Sequence, residues 1–237
     1  MKQIYEIKIK VRLSVIISIL LFIAVVVAGL YYYNNSSTKT GLLAGSLAAG
    51  LVVALIQWII SWKEYSLIEK IEDLELVKIL YNRDDRTYYE DLIRNSKKSI
   101  KVMGVTAKRF FEHFADTNNG APDKARVLLV AMERGVDVQI LLPHENFLPE
   151  EKKNAHHQVM HVLREIQHKN YTGKIDIRYF QHAPAHSIFM VDNTCIVGPV
   201  FEKVESKYTP ALHLKNESPF AEKYIAYFEQ EWKKLDA

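Results

Sequence analysis

The sequence predicts an α/β protein in two parts: an N-terminal pair of transmembrane helices, then one soluble domain built on a mixed β-sheet. Two observations indicate this division. No charged residue occurs from Leu13 to Thr38 or from Thr40 to Trp62, whereas charges are frequent from Lys63 onward. Beyond Asn82, helical and strand periods of hydrophobicity alternate, which is typical of a sheet with helices on its faces.

The two uncharged segments are long enough to cross a bilayer. Residues 13–33 and 41–62 would each extend about 30 Å as a helix, which matches the apolar thickness of a membrane. A signal peptide is the alternative for the first segment. However, its apolar part is too long, and the tyrosines at 31–33 suit an interfacial aromatic belt. We therefore predict that residues 1–62 form a short N-terminal segment and two transmembrane helices.

The distribution of Lys and Arg predicts the orientation of these helices. Only Lys39 lies in the predicted connecting loop, Tyr31 to Thr40, whereas both outer flanks are basic. The flanking cations are Lys2, Lys8, Lys10 and Arg12 before the first span, and Lys63, Lys70, Lys78, Arg83 and Arg86 after the second. The positive-inside rule then places both termini in the cytoplasm of a multi-pass inner-membrane protein.

The charge balance argues against a generally basic nucleic-acid-binding domain. Of the net charge of +3, the first twelve residues carry +3 and Lys39 carries +1, so residues 63–237 carry −1 and the soluble part is close to neutral. Contact with nucleic acid would need a local basic patch. The single cysteine, Cys195, excludes an intrachain disulfide and fits a reducing compartment. No spacing of ligand residues calls for a metal or another cofactor.

The second span is richer in small residues than anchoring requires. Two series recur at four-residue spacing, and a polar residue lies near the cytoplasmic end: Gly41, Gly45 and Ala49; Ser46, Gly50 and Ala54; and Gln57. Small residues allow close helix–helix approach, within the pair or between copies, and a polar side chain in a span seeks a partner. The alternative is the general tolerance of membrane helices for Gly and Ala. We expect a homo-oligomer in the lipid bilayer.

A helical stalk is predicted between membrane and domain, at residues 63–82. Leu67, Ile71 and Leu74 recur at helical spacing among charged residues, so the pattern predicts a helix from Glu64 to Leu80. No Gly or Pro interrupts the chain from Leu51 to Gly104. Such a stalk would couple the domain to the membrane helices.

The soluble domain, residues 83–237, shows alternating helix and strand patterns ended by Gly, Pro and turn residues. Helices are predicted at 88–98, 123–134, 149–169 and 219–235. Strands are predicted at 99–105, 136–142 and 175–180, and a hairpin at 187–191 and 195–197 with Asp192-Asn193-Thr194 as its turn. This order predicts a mixed sheet with helices on its faces.

Residues 85–235 resemble one repeat of the phospholipase D superfamily. Three segments carry the resemblance: the helix–strand unit from Tyr89 to Met103, the Arg-Gly-Val unit from Ala131 to Pro143, and His186-Ser-Ile-Phe-Met-Val-Asp192 running into Cys195-Ile-Val-Gly198. The resemblance implies a catalytic His that attacks phosphorus, a Lys two residues later and an Asp five beyond that. A second repeat or subunit would supply the acid.

That signature is degraded in this sequence. Ile188 follows His186 at the lysine position, Pro184 follows His182, and Asp192 lies one residue too close to His186. Losing an oxyanion clamp costs on the order of 10²–10³ in rate. We therefore expect no catalytic residues; if the domain were active, His186 and Asp192 would be the candidates, with Lys203 or Lys215 replacing the missing Lys.

Other polar residues have competing interpretations. His213-Leu-Lys215 also contains a His-x-Lys but lacks the Asp, so we interpret it as a surface segment. His157, His161 and His168, with neighbouring His156, are interpreted as a solvated helix face rather than a zinc site. The basic residues around the first predicted strand are either phosphate or partner contacts or an exposed helix end: Lys97, Lys98, Lys101, Lys108 and Arg109.

Three functions follow as hypotheses. The first is a membrane effector and toxin, because a helix pair with a degraded enzyme domain is similar to two-transmembrane effectors of bacterial antiphage defence. Such an effector would be restrained by a regulatory protein or by a nucleic-acid complex such as a reverse transcriptase with its nucleic acid. The second is a membrane-tethered dimeric phosphodiesterase, a phospholipase or nuclease, that uses His186. The third is an inert anchor whose domain only binds.

Overall fold

The computed structural model describes residues 2–118 and 120–234, without the side chains of 2–14, 65–67 and 69–71. The chain divides into two compact units, residues 1–72 and 73–237. The first unit is a pair of long helices and the second is a mixed α/β domain. Each unit is described by itself below.

Two helices form the first unit, α1 (Lys2–Asn35) and α2 (Lys39–Glu72). Within them Val15–Asn35, with a mean hydropathy of 2.7, and Lys39–Glu64, with 2.1, are long and apolar enough to cross a membrane by length and composition. The connection is shorter than the loop predicted from Tyr31 to Thr40, since only residues 36–38 lie between the helices.

The tight connection explains one of the predicted packing residues. The carbonyl of Asn35 accepts hydrogen bonds from the backbone N–H (3.0 Å) and the hydroxyl (2.8 Å) of Thr38. The same hydroxyl accepts from the N–H of Gly41 at 3.0 Å. A Cβ on Gly41 would lie 1.8 Å from the Asn35 carbonyl oxygen. Only glycine fits this position without moving the backbone.

The small residues of α2 divide between two faces. Gly41 and Gly45 lie against the neighbouring helix, where a Cβ on Gly45 would approach the Tyr32 ring to 2.8 Å. A Cβ on Gly50 would meet nothing within 4 Å. Five of the predicted packing residues are exposed on α2: Ser46, Ala49, Gly50, Ala54 and Gln57. In the first series, Gly41 and Gly45 therefore pack within the hairpin, whereas Ala49 does not. The second series, Ser46, Gly50 and Ala54, is not covered by α1.

The stalk prediction is wrong in its last part. Helix α2 ends at Glu72, and residues 76–80 form strand β1 (Leu76–Leu80) instead of continuing the helix. Glu75 has a left-handed φ of +47°, which breaks the helical path. The strand forms because it pairs along the sheet edge, and this tertiary pairing overrides a helical period. The Leu67 and Ile71 side chains of the predicted stripe lie outside the described residues.

The second unit contains seven strands and five helices in the described residues. After β1 the elements are α3 (Arg86–Arg94), β2 (Ser99–Met103), α4 (Lys108–Phe114), α5 (Val127–Glu133), β3 (Asp137–Pro143), α6 (Glu150–Gln167), β4 (Ile175–Phe180), β5 (His186–Val191), β6 (Thr194–Pro199), β7 (Ala211–Lys215) and α7 (Pro219–Lys233). The predicted last residue of the final helix, Leu235, lies outside the described residues.

The strands form one mixed sheet in the order β1-β7-β6-β5-β2-β3-β4. Strands β2, β3 and β4 are parallel, and the other neighbouring pairs are antiparallel. Apolar residues fill both faces, as a sheet covered on both sides requires. One core contains Phe189 and Ile140 with α3, α5 and α6, and the other contains Ile188 and Phe228 with α7. The predicted α/β class with a mixed sheet is confirmed.

Two buried histidines should make the folded domain less stable at low pH. His213, 2% exposed, hydrogen-bonds through Nδ1 to the Tyr88 hydroxyl at 2.5 Å, and His156, 5% exposed, packs against Tyr179. Burial lowers the pKa of both imidazoles, and nearby cationic Lys78 lowers that of His213 further. The unfolded chain therefore binds more protons than the folded one, so stability falls as pH decreases below about 6.5.

The test is a series of urea midpoints of the detergent-solubilised chain between about pH 7 and pH 5. We expect a declining midpoint in the unmodified protein and a shallower decline in His213→Phe. His161→Gln is the control, because the side chain of His161 is 76% exposed. An equal decline in His213→Phe and the control would contradict the assignment to His213.

Candidate functional site

His186 lies at the amino end of β5, and its environment is one of packing. Its ring contacts the rings of Tyr224 and Tyr227 on α7 edge-on, at centroid distances of 5.3 and 5.9 Å. Ile188, on the same strand face, is fully buried in the core under α7. The position two residues after His186, where the family resemblance implies a lysine, is therefore an aliphatic side chain inside the core.

Asp192 is engaged in holding the β5–β6 turn. Its carboxylate accepts three backbone hydrogen bonds, from Lys97 (2.8 Å), Lys98 (2.8 Å) and Ser99 (3.1 Å). Asp192 itself adopts a left-handed φ of +50°, a conformation that Asp tolerates better than most residues. This side chain ties the hairpin turn to the start of β2. The Asp192 carboxylate therefore has a structural role.

The remaining His-x-Lys pattern is also part of the framework. His213 and Lys215 lie on β7, so the interpretation of this segment as a surface stretch is wrong. Lys215 pairs with Glu75 at 2.6 Å and lies opposite Thr194, whereas His186 lies opposite Pro199 at the other end of β6. Lys215 therefore cannot replace the lysine missing beside His186. Lys203 lies in the loop after β6, with a left-handed φ of +64°.

The five basic residues predicted as phosphate or partner contacts do not form one patch. Lys97 and Lys98 precede β2, at the end of the sheet held by Asp192. Lys101 forms an ion pair with Glu229 of α7. Lys108 and Arg109 lie beyond the opposite end of β2, where they line a cleft. Only this last pair takes part in a candidate site.

The cleft lies at the sheet end formed by the carboxyl end of β2 and the amino end of β5, with a volume of about 480 Å³. Four segments surround it: residues 83–89 at the start of α3, residues 104–114 through α4, the start of α6, and residues 200–206 after β6. Ser187 and Phe189 of β5 also line it. Because successive strand residues alternate, these two side chains point to the face opposite His186.

Arg83 is the most deeply buried cation of the cleft, with 9% of its surface exposed. Its Nε donates to the carbonyl of Ser206 (2.9 Å), and its Nη2 donates to the carbonyl of Pro199 (3.0 Å) and to the Thr209 hydroxyl. None of these acceptors is a carboxylate. Burial lowers the pKa of this guanidinium, and Tyr89 opposes that effect.

Two more cations of the cleft lack a carboxylate within ion-pair distance among the described residues. Arg86 donates to the carbonyls of His113 (2.9 Å) and Lys124 (3.4 Å), and Lys152 of α6 makes no ion pair there. By contrast, Arg109 pairs with Asp84, and Lys108 pairs with Glu112 at 3.5 Å. The cleft thus contains positive charge that the described side chains do not neutralise.

One wall of the cleft is aromatic. Phe189 contacts Tyr89 and Phe110 edge-on, at centroid distances of 5.3 and 5.9 Å. Ala107, which also lines the cleft, adopts a left-handed φ of +52°. Such backbone strain in a residue other than glycine collects at functional sites. The cleft combines cations with an aromatic wall whose rings meet edge-on.

Metal ligation finds no support in the described residues, since no three His, Cys, Asp or Glu side chains gather there. His157 and His161 are exposed and pair instead with Glu145 (3.3 Å) and Glu165 (3.4 Å). Cys195 is fully buried, and burial raises the pKa of its thiol to about 12, which makes it a poor nucleophile.

Comparison with known proteins finds neighbours among solved structures only. No family model and no curated protein matches the chain. It is similar to TrmBL2, an archaeal chromatin protein that shows a novel mode of DNA binding, with 13% identity and a TM-score of 0.40 over 78% of this chain and 69% of that one. It is also similar to Nuc from Salmonella typhimurium, a phospholipase D family member. That identity is 21% and the TM-score 0.41, over 66% of this chain and 93% of Nuc. Neither likeness determines the function.

Proposed function

We propose that this chain is a membrane-embedded effector of a bacterial antiphage system. The α/β domain senses a ligand or is restrained by a partner, and the two apolar helices compromise the inner membrane when that restraint is lost. Both termini lie in the cytoplasm, as the distribution of Lys and Arg favours. The antiphage setting rests on the similarity in architecture to two-transmembrane effectors.

The observation that carries the proposal is the environment of His186. The ring packs between tyrosines of α7, Ile188 occupies the lysine position, and the Asp192 carboxylate is engaged with three backbone N–H groups. A phosphohistidine mechanism needs a cation at the phosphoryl oxygens. Because the buried Ile188 supplies no charge at the lysine position, we assign activity to the membrane helices and not to the domain.

The exposed face of α2 supports assembly in the bilayer. Ser46, Gly50, Ala54 and Gln57 are uncovered by α1 and follow one face of the helix. Small residues permit close approach of a second helix, and a polar side chain such as Gln57 gains a hydrogen-bond partner by association. We infer a homo-oligomer that forms through this face. The domain in turn would be restrained by a regulatory protein or by a reverse transcriptase with its nucleic acid.

The proposal predicts that Gly50→Leu relieves toxicity. Induced expression of the unmodified chain should depolarise cells, whereas Gly50→Leu should accumulate in the membrane and depolarise them at least tenfold less. A Cβ at Gly50 meets nothing within 4 Å, so the hairpin accommodates the change and only association is blocked. Membrane-potential dyes and immunoblots of membrane fractions measure the two quantities.

Gly29→Leu on α1 is the matched control, because a Cβ there also meets nothing within 4 Å. This variant should remain toxic. Undiminished depolarisation by Gly50→Leu would contradict the role given to the exposed face. A purified chain that hydrolyses a phosphodiester, and loses this activity in His186→Ala, would instead establish the membrane-tethered phosphodiesterase.

A further inference from the structure

We propose that the cleft at the end of the sheet binds a small phosphorylated molecule with a flat ring, such as a nucleoside monophosphate, and that Arg83, Arg86 and Lys152 hold its phosphate. The inference rests on the proposed function, because it names the class of ligand that the domain would sense. The site lies on the face of β5 opposite His186, so it is separate from the catalytic position implied by the family resemblance.

The first step of the argument is the unbalanced charge of Arg83. A charge that is 9% exposed is costly unless an anion or strong acceptors compensate it. Its three bonds use Nε and Nη2 and end on two carbonyls and a hydroxyl. Nη1 makes no hydrogen bond to a described residue. A planar guanidinium with an unused N–H edge is suited to phosphate oxygens.

The second step is the charge balance of the whole cleft. Its three lining carboxylates are Glu112, Glu151 and Glu205, of which Glu112 pairs with Lys108 and Glu205 with Lys207 at 3.0 Å. Glu151 is exposed and forms no ion pair with a described residue. Arg83 and Arg86 have no carboxylate within ion-pair distance there, and Lys152 interacts electrostatically with Glu205 without forming an ion pair. A dianionic group would therefore meet an excess of positive charge, and phosphate carries that charge near neutral pH.

The third step is size and shape. A volume of about 480 Å³ falls within the range of ligand pockets, roughly 300–1,000 Å³, which suits a mononucleotide and excludes a duplex. Phe110 is half-buried and supplies apolar surface for a flat ring, and Phe189, which is 8% exposed, packs against it edge-on. The cations of the cleft suit a phosphate, and its aromatic rings suit a base, so together they match a nucleotide.

The competing explanation is structural. Arg83 also fixes the loop at residues 199–209, since its own N–H donates to the Lys207 carbonyl at 2.8 Å. Removing Arg83 would disturb that loop whether or not a ligand binds. The Lys152 side chain has no such role, because it makes no ion pair or hydrogen bond with a described residue. Its backbone N–H donates to the Pro149 carbonyl at 2.8 Å, a bond that a side-chain substitution leaves in place. Lys152→Met therefore tests binding without removing a structural contact.

The experiment is isothermal titration of the detergent-solubilised full chain with AMP, adenosine and inorganic phosphate at constant ionic strength. We expect AMP to bind, phosphate to bind more weakly, and adenosine to bind at least tenfold more weakly than AMP. Lys152→Met should weaken AMP binding at least tenfold. Lys153→Met is the matched control, because Lys153 pairs with Glu150 at 2.6 Å and does not line the cleft.

Binding of AMP and adenosine with equal affinity, equal AMP affinity of the two lysine variants, or no binding of any probe would each overturn the inference. Its failure is distinguishable from failure of the proposed function. A chain that depolarises cells but binds no probe refutes the cleft ligand alone. A chain that binds AMP through Lys152 but never depolarises cells refutes the effector alone.

Discussion

Replacing Asp192 with alanine is expected to lower the free energy of unfolding of the α/β domain by about 3 kcal/mol. The variant loses at once the three hydrogen bonds that the N–H groups of Lys97, Lys98 and Ser99 donate to a charged acceptor. It also places alanine at a left-handed φ of +50°. Urea unfolding of the detergent-solubilised chain measures the change as a lower midpoint with an unchanged slope.

Asp192→Asn separates the hydrogen bonds from the charge. Asparagine tolerates the left-handed conformation and retains one side-chain oxygen, which can keep a subset of the bonds. We expect roughly half the loss seen with alanine. If Asp192→Ala unfolded at the same urea concentration as the unmodified chain, the carboxylate would not be holding the turn to β2, and a catalytic role for it would regain weight.

Gly41→Ala is expected to destabilise the helical hairpin by about 3 kcal/mol, near the upper end for overpacking. The added methyl group would lie 1.8 Å from the Asn35 carbonyl oxygen, a backbone atom that cannot rotate away. That carbonyl also accepts two bonds from Thr38, so moving it breaks the connection between the helices. Titration of the chain in mixed micelles with a denaturing detergent reports the midpoint of hairpin unfolding.

Gly50→Ala serves as the control for this prediction. The same chemical change occurs on the same helix, but the new Cβ meets nothing within 4 Å. Alanine also has the better helix propensity, so this variant should be as stable as the unmodified chain or slightly more stable. Equal midpoints for Gly41→Ala and Gly50→Ala would mean that the tight turn after Asn35 does not limit hairpin stability.

The elements that the sequence predicted well are those with a clear period between breakers. Strand β4 has the predicted bounds, Ile175–Phe180, because Gly173 precedes an alternating segment. Strand β1 was missed because no Gly or Pro marks the end of the helix that precedes it, and pairing with β7 decides its conformation. Strand β7 was missed because His213 and Lys215 were interpreted as a His-x-Lys pattern and not as part of a strand. Helix α4 was missed because its seven residues, Lys108–Phe114, are too few to show a helical period.

The cleft was harder to predict because distant segments build it. Arg83 reaches the carbonyl of Ser206 across 123 positions of the chain, and no local pattern encodes such a contact. Its charge, like that of Arg86, was assigned to membrane orientation. Lys152 lies among other charged residues at the start of a helix, so the sequence does not distinguish it from them. Lys108 and Arg109 are candidates because they follow a strand. Lys97 and Lys98 lie at the other end of β2, so the two pairs cannot form one patch.

The edge position of β1 determines where the soluble part can be separated from the helices. A fragment that begins at residue 83, the boundary expected from sequence, would lack the strand that pairs with Leu212, His213 and Leu214 of β7. The bare β7 would then present open N–H and C=O groups beside newly uncovered leucines, which is a template for aggregation. A soluble fragment therefore has to include Glu75, which bonds to Lys215, and all of β1, so the eight residues 75–82 decide between a usable crystallisation sample and a precipitate.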